Sequence, residues 1–203
     1  MYHMPTSSKS LNNLLLGGIP CAAITEVVGE PNHTRRVAYA LLQEQQRRFS
    51  NARSFWLDMA GEVNEERIRS AGLDPDALCV LTQDAVEGED YDFLAKTMMI
   101  GKTGKEYMGF AGVVLSGFQE GWQDRKDIAI PWAEMVKILE PAHAFIVCLV
   151  APTQVSKLLA RAATVRLRVT QPVAARDPEE VIVTLVKHWR APTVSARRIL
   201  LPA

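Results

Sequence analysis

The sequence predicts an α/β fold, in which a mixed, mostly parallel sheet is flanked by helices and ends in antiparallel strands at its C-terminal edge. Between residues 22 and 150, short apolar runs alternate with segments of helical spacing, as strands and helices do along a parallel sheet. Beyond residue 160, two runs alternate apolar and polar residues, as half-exposed antiparallel strands do. The length of 203 residues, with 48% hydrophobic and 23% charged residues, favours one domain spanning 1–203.

The predicted elements follow in chain order. Residues 1–10 are expected to form a flexible lead. A β-rich run at 22–28 is ended by Gly29, and helical spacing follows at 35–49. Further strands are predicted at 54–57, 78–82, 110–115 and 144–150, and further helices at 64–70, 91–100 and 131–139. The alternating runs at 164–170 and 181–188 then close the sheet.

Charge is balanced in total and uneven along the chain. The 23 basic and 23 acidic residues cancel, so no overall positive field attracts nucleic acid or an anionic membrane. From residue 153 onward there are nine basic residues and three acidic ones, which favours this third of the chain for an anionic partner. A solvated basic face, or edge charges that deter aggregation, is the alternative interpretation. The candidate nucleic-acid contacts here are Arg161, Arg166, Arg168, Arg197 and Arg198.

The spacing of the cysteines and the length of the apolar runs indicate the cellular compartment. Cys21, Cys79 and Cys148 are far apart and form no Cys-x-x-Cys pair, which favours reduced thiols and predicts no zinc site. The N-terminus lacks an apolar signal segment, and no apolar run is long enough to cross a bilayer. We therefore expect a cytoplasmic protein with no membrane partner.

The junction of the first predicted strand and helix is the place for a phosphate-binding loop. Such a loop has the pattern Gly-x-x-x-x-Gly-Lys-Ser/Thr, in which backbone amides and the lysine bind phosphates and the hydroxyl binds magnesium. Here the pattern starts at Gly29, but its last three positions are Thr34, Arg35 and Arg36. Arg35 keeps a positive charge for a phosphate, whereas a guanidinium at position 36 cannot ligate a metal. The sequence therefore predicts a degenerate loop with no nucleotide cofactor and no metal.

The order of these segments resembles the ATPase core of the RecA/RadA recombinase superfamily. Residues 11–29 (LNNLLLGGIPCAAITEVVG) resemble the entry to its phosphate loop, and residues 55–78 resemble its second strand and the following helix. Residues 110–117, 145–152 and 164–192 stand where its Walker B strand, its glutamine-tipped sensor strand and its closing antiparallel strands belong. The resemblance covers nearly the whole chain and implies a RecA-like fold.

The resemblance also implies which residues would act at each functional position. The catalytic glutamate falls on Ala60, with Glu62 close enough to offer a carboxylate from a shifted loop. The Walker B aspartate falls on Ser116 and the sensor glutamine on Ala151. Phosphoryl transfer depends on neutralising the developing charge, and the groups for that task are missing together. The resemblance thus predicts a pseudo-ATPase and no enzyme.

Members of this superfamily hold DNA with loops after the fourth and fifth strands. The first loop corresponds to residues 117–130, where Trp122 is a candidate for base stacking and Arg125 and Lys126 are candidates for phosphate contacts. Acidic neighbours at 120, 124 and 127 offset that charge, and Trp122 packing into the core is the alternative.

Superfamily members without ATPase activity, such as ImuA, SulA and noncatalytic recombinase paralogues, act by binding other proteins. The resemblance therefore implies an accessory protein of DNA repair, recombination or translesion synthesis in the DNA damage (SOS) response, nucleoid-associated if bacterial. The expected partners are a recombinase or a translesion polymerase complex, with single-stranded DNA and self-association as further options. Two alternatives stay open: a SulA-like division inhibitor that binds FtsZ, and a weak phosphate-loop ATPase.

Overall fold

The computed structural model describes residues 2–50, 53–82, 110–117, 136, 144–155, 157–175, 177, 180–190 and 195–201. The strands among these residues are β1 (His3–Met4), β2 (Ile19–Pro20), β3 (Ile24–Val28), β4 (Arg53–Asp58), β5 (Leu78–Thr82), β6 (Phe110–Ser116), β7 (Phe145–Val150), β8 (Val165–Thr170), β9 (Glu180–His188) and β10 (Ser195–Leu200). The helices are α1 (Lys9–Leu14), α2 (Pro31–Arg48), α3 (Glu65–Ser70) and α4 (Lys157–Ala162), with 3-10 turns at Pro75–Ala77 and Pro152–Gln154. The helices predicted at 91–100 and 131–139 lie outside the described residues, apart from Val136.

The main sheet has the order β10-β9-β8-β3-β7-β6-β4-β5. All neighbours from β5 to β8 pair in parallel, and β9 and β10 continue the sheet antiparallel. The predicted mixed α/β sheet with antiparallel C-terminal edge strands is therefore confirmed. Because the strands from β5 to β8 are parallel, their C-terminal ends meet along one edge of the sheet.

Both faces of the central parallel strands, β3, β4, β6 and β7, are largely buried, which is why these strands are mostly apolar instead of alternating. One face packs Val27, Trp56 and Val147 against α2, and the other packs Ile24, Leu57 and Cys148 in a second cluster. Trp56 is completely buried, as its apolar context predicts.

Helix α2 begins four residues earlier than its apolar spacing predicts. Pro31 occupies the first turn, where its fixed φ suits a helix and its missing N–H costs nothing. Glu30 precedes it as the N-cap residue without a side-chain capping bond. The residues from 31 to 34, expected to form the loop, are therefore helical.

Residues 2–10, part of the segment expected to form a flexible lead, contact the rest of the fold. Strand β1 pairs with β2, and Met4 is buried. The backbone N–H of Thr6 donates to Asn12 Oδ1 at 2.7 Å, while Asn12 Nδ2 donates back to the Thr6 carbonyl at 2.8 Å. A buried methionine and a reciprocal side-chain clamp thus connect these residues to the fold and to the following helix.

The three thiols have different surroundings. Cys21 and Cys148 are buried, and burial raises the pKa of both, that of Cys21 to about 12. Cys79 is exposed on β5, and partial burial still raises its pKa.

In the described part of the chain no helix has the length and apolarity needed to cross a membrane.

Candidate functional site

A cavity of about 230 Å³ lies at the C-terminal edge of the sheet, where β4, β6 and β7 end beside the start of α2. Its lining contains most positions at which the sequence analysis sought phosphate chemistry: Thr34, Arg35, Ala60, Glu62, Ser116 and Ala151. The topology therefore gathers these residues as the resemblance predicts. What they can do depends on how each is bonded.

The phosphate loop keeps one glycine, Gly29, for a packing reason. A Cβ at this position would lie 2.3 Å from the carbonyl oxygen of Val169 on β8, too close for any side chain. Thr34, at the position of the second glycine, turns its hydroxyl back to donate to the Pro31 carbonyl at 3.2 Å. The Thr34 hydroxyl is thus bonded within the first turn of α2.

Arg35, at the position of the loop lysine, is paired within the chain. Its side chain is 8% exposed, and Nη1 lies 2.5 Å from Glu62 Oε2. Nη2 donates to Asn32 Oδ1 at 2.7 Å. Glu62, the carboxylate considered as a shifted catalytic base, is thus bonded to this guanidinium.

Asp58 and Ser116 form a buried hydrogen-bond network at the ends of β4 and β6. Asp58 Oδ2 accepts the backbone N–H of Val63 at 2.6 Å, and Oδ1 accepts the hydroxyl of Ser116 at 3.2 Å and a longer bond, 3.4 Å, from the Ala60 N–H. The Ser116 hydroxyl in turn accepts the indole N–H of Trp56 at 2.8 Å. The position of the metal-binding acid therefore carries a hydroxyl that links a tryptophan to a carboxylate.

These residues do not fit a magnesium triphosphate. Ala60 and Ala151 bring no carboxylate or amide, Ser116 brings no charge, and Arg35, the one cation among the described lining residues, is engaged by Glu62. Among the described residues no cluster of three or more histidines, cysteines or acids could hold a metal ion. Two polar lining residues were missed by sequence reasoning: Asp58, at the end of β4, and Gln154, in the 3-10 turn after β7, three residues beyond the expected sensor position.

The candidate DNA-binding residues are divided by the structure. Trp122, Arg125 and Lys126 lie outside the described residues. Arg166 points to the buried carboxylate of Glu26, with Nε 2.6 Å from Oε2. This contact is an ion pair without hydrogen-bond alignment, since neither oxygen of Glu26 has a well-oriented donor in the described part of the chain. Burial raises the pKa of Glu26, and the charge of Arg166 opposes that rise.

The other arginines are exposed on different faces. Arg168 and Arg198 lie on the same side of the antiparallel edge, because they pair with Thr184 and Ile182, which share one face of β9. Arg197 pairs with Val183 and therefore lies on the opposite side. Arg161 is exposed on α4. The five candidate arginines thus do not form one strip.

A second cavity, of about 500 Å³, lies on the other side of the phosphate-loop position. Its lining includes Glu30, His33, Arg166 and Arg168. Burial and the charge of Arg36 lower the pKa of His33. Sequence reasoning did not find this cavity; the two arginines at a spacing of two on β8 were its one readable signal.

The sheet order and the position of the site define a RecA-like fold. The crystal structure of the RadB recombinase is similar to this chain, with a TM-score of 0.68 over 96% of this chain and 94% of that chain, at 17% sequence identity. No protein-family model and no curated protein sequence matches the chain. The resemblance to the RecA/RadA superfamily is thereby confirmed at the level of the fold.

Proposed function

We propose that this chain is a non-hydrolysing RecA-like accessory protein, a pseudo-ATPase that acts in recombination, DNA repair or translesion synthesis by binding other macromolecules. Its partners are a recombinase or a translesion polymerase complex in the cytoplasm. The observation that carries this proposal is the internal pairing of the site: Arg35 with Glu62, and Asp58 with Ser116.

The pairing argues against phosphoryl transfer on electrostatic grounds. A transferred phosphoryl group needs cations that are free to take up its developing charge. Arg35 already has a carboxylate at hydrogen-bond distance, and the Asp58 carboxylate already accepts hydrogen bonds from backbone amides and a hydroxyl. We therefore propose that the chain acts by binding other macromolecules and not by phosphoryl transfer.

The choice of partner is supported by the fold. The structurally similar RadB protein is a recombinase, which favours a partner of the recombination machinery for this chain. A direct test is quantitative co-purification of the chain from DNA-damaged cells, with the recombinase and the translesion polymerase measured individually. Enrichment of either over an unrelated bait is expected. Repeated absence of both, or enrichment of FtsZ alone, would refute the assignment.

Single-stranded DNA is proposed as an additional ligand of the exposed face that carries Arg168 and Arg198. Two phosphate contacts predict an affinity that falls with salt, at a slope of about −0.7 per contact for single strands. The double variant Arg168→Gln/Arg198→Gln is expected to weaken binding and flatten the slope. The control is Arg69→Gln on α3, an exposed arginine in the segment that joins β4 to β5, the two strands at the opposite end of the sheet order from β8, β9 and β10. Equal binding by both variants would rule out this face.

A further inference from the structure

The chain leaves the sheet at His188, the last residue of β9, through a turn that we call the His188 turn (residues 188–190). His188 pairs with Val165 of β8, and 6% of the residue is exposed. Its Nδ1 accepts the backbone N–H of Arg190 at 3.1 Å, which closes the turn. Because a neutral imidazole has one donor nitrogen and one acceptor nitrogen, this bond requires His188 to be neutral, with its proton on Nε2.

A second proton on His188 would break this bond. It would go to Nδ1, and the resulting N–H would face the N–H of Arg190, so that two donors meet and no acceptor remains. The other ring nitrogen offers no compensation, because Nε2 is buried and has no well-oriented hydrogen-bond partner in the described part of the chain. Charging the ring therefore costs the turn its hydrogen bond and also requires a cation to be desolvated.

The groups around His188 also oppose a charge on it. Burial is the largest cause that lowers the pKa of His188, followed by the charges of His3 on β1 and Arg190 in the turn, whereas the carbonyl of Leu15, just after α1, acts in the opposite direction. Among the described residues, the groups that act on this ring include no carboxylate that could offset an imidazolium. His3 is itself fixed, because its Nδ1 lies 3.2 Å from the Gly18 carbonyl. Acidification thus brings uncompensated positive charge to the contact between β1 and the end of β9.

We propose that the His188 turn is a pH-sensitive switch: neutral His188 holds it closed, and protonated His188 releases it. The turn positions a pair of surface side chains. Trp189 is 47% exposed, and the Arg190 guanidinium lies 4.1 Å from the centroid of its indole ring. The indole also lies nearly parallel to the His188 imidazole, with 6.4 Å between the ring centroids. Protonation therefore changes the placement of an exposed aromatic ring and an exposed cation together. The switch does not depend on the proposed function, because it involves no residue that lines the cavity of about 230 Å³.

The closed turn is most stable at neutral and alkaline pH. Since the folded pKa of His188 lies below its ordinary value of 6.5, the turn has its full stability above that value and loses it as pH falls through 6.5 toward the folded pKa. One proton is taken up on opening, so the opening constant rises by at most about tenfold per pH unit. Between about pH 7.5 and about pH 5.5 the total rise is limited to about tenfold, because half of that interval lies above the ordinary pKa.

The test is hydrogen exchange of the full chain, measured by mass spectrometry at about pH 7.5 and about pH 5.5 and corrected for the intrinsic rate of each peptide. Peptides that cover residues 183–190 report on the turn, and peptides that cover β7 report on global opening. We expect the corrected exchange at 183–190 to rise several-fold at the lower pH, and more than that of β7. His188→Gln removes the titration and keeps an amide oxygen that can accept the Arg190 N–H, so the rise should disappear. His33→Gln, which replaces another histidine of lowered pKa on α2, is the matched control and should keep the rise.

No rise in the unmodified chain, an equal rise in His188→Gln, or loss of the rise in His33→Gln would overturn the inference. Nitrogen NMR of the imidazole rings in the unmodified chain keeps the test valid if His188→Gln does not fold. At neutral pH His188 should have an unprotonated Nδ1 and a protonated Nε2. A proton on Nδ1 at neutral pH would equally overturn the inference, because the bond that closes the turn could not then exist.

Discussion

Replacing Ser116 by alanine tests the buried network at the edge of the sheet. The change leaves the indole N–H of Trp56, which is fully buried, without its acceptor, and takes one donor from Asp58. An unpaired buried donor costs about 1–3 kcal/mol, and a hydrogen bond to a charged group contributes about 1.5–3 kcal/mol. Because the two losses share one hydroxyl they do not add fully, so we expect about 2–4 kcal/mol lower free energy of unfolding.

Urea unfolding followed by tryptophan fluorescence measures this loss as a shift in the midpoint at constant slope. A double-mutant cycle with Trp56→Phe isolates the indole contribution, because Ser116→Ala should cost about 1–3 kcal/mol less once the donor is gone. Ser70→Ala, which removes an exposed hydroxyl bond to the Arg67 carbonyl, is the control. A loss below about 0.5 kcal/mol in Ser116→Ala would refute the reasoning, because that is the range of ordinary surface changes.

Three further predictions concern charge and burial elsewhere in the fold. Arg47 and Arg48 lower the pKa of Glu44 to about 2, so the charged carboxylate stabilises the fold above about pH 4.5 and this contribution is lost as pH falls toward 2. Glu44→Gln should therefore be less stable than the unmodified chain above about pH 4.5 and equally stable near pH 2. Urea midpoints across that range check the prediction, and a pH-independent difference contradicts it. Native thiol titration should label one of the three cysteines, Cys79, with the other two reacting only after unfolding; rapid labelling of a second thiol would contradict the burial. Lys187→Met should lower the free energy of unfolding by about 1 kcal/mol, because its ammonium bonds three carbonyls at the end of α4, and an unchanged urea midpoint would disprove that contact.

Much of the fold could be predicted from the sequence because buried parallel strands are continuous apolar runs. Residues 145–150 (FIVCLV) are buried at every position, and the alternation in β8 follows its burial residue by residue. Strand β10 was not predicted, because only Ile199 of its six residues is buried. Its strand state comes from pairing with β9, which a local pattern does not contain.

The positions that line the site could be read from the sequence, whereas the contacts between them could not. Ala60 and Ser116 can be identified by position once the order of strands is known. The pairing of Arg35 with Glu62 joins residues 27 apart, and that of Arg166 with Glu26 joins neighbouring strands that are 140 residues apart in sequence. Periodicity assigns a residue to a face of its element, but the partner across that face is set by tertiary topology.

Titration of magnesium-ATP into the purified full chain, with phosphate release followed in the same sample, tests the central claim most directly. If Arg35 is held by Glu62, and Ala60 and Ser116 supply no carboxylate, the titration gives no saturable heat and the rate of phosphate release stays at that of the protein-free control. Saturable binding accompanied by steady phosphate release that Arg35→Gln abolishes would contradict it.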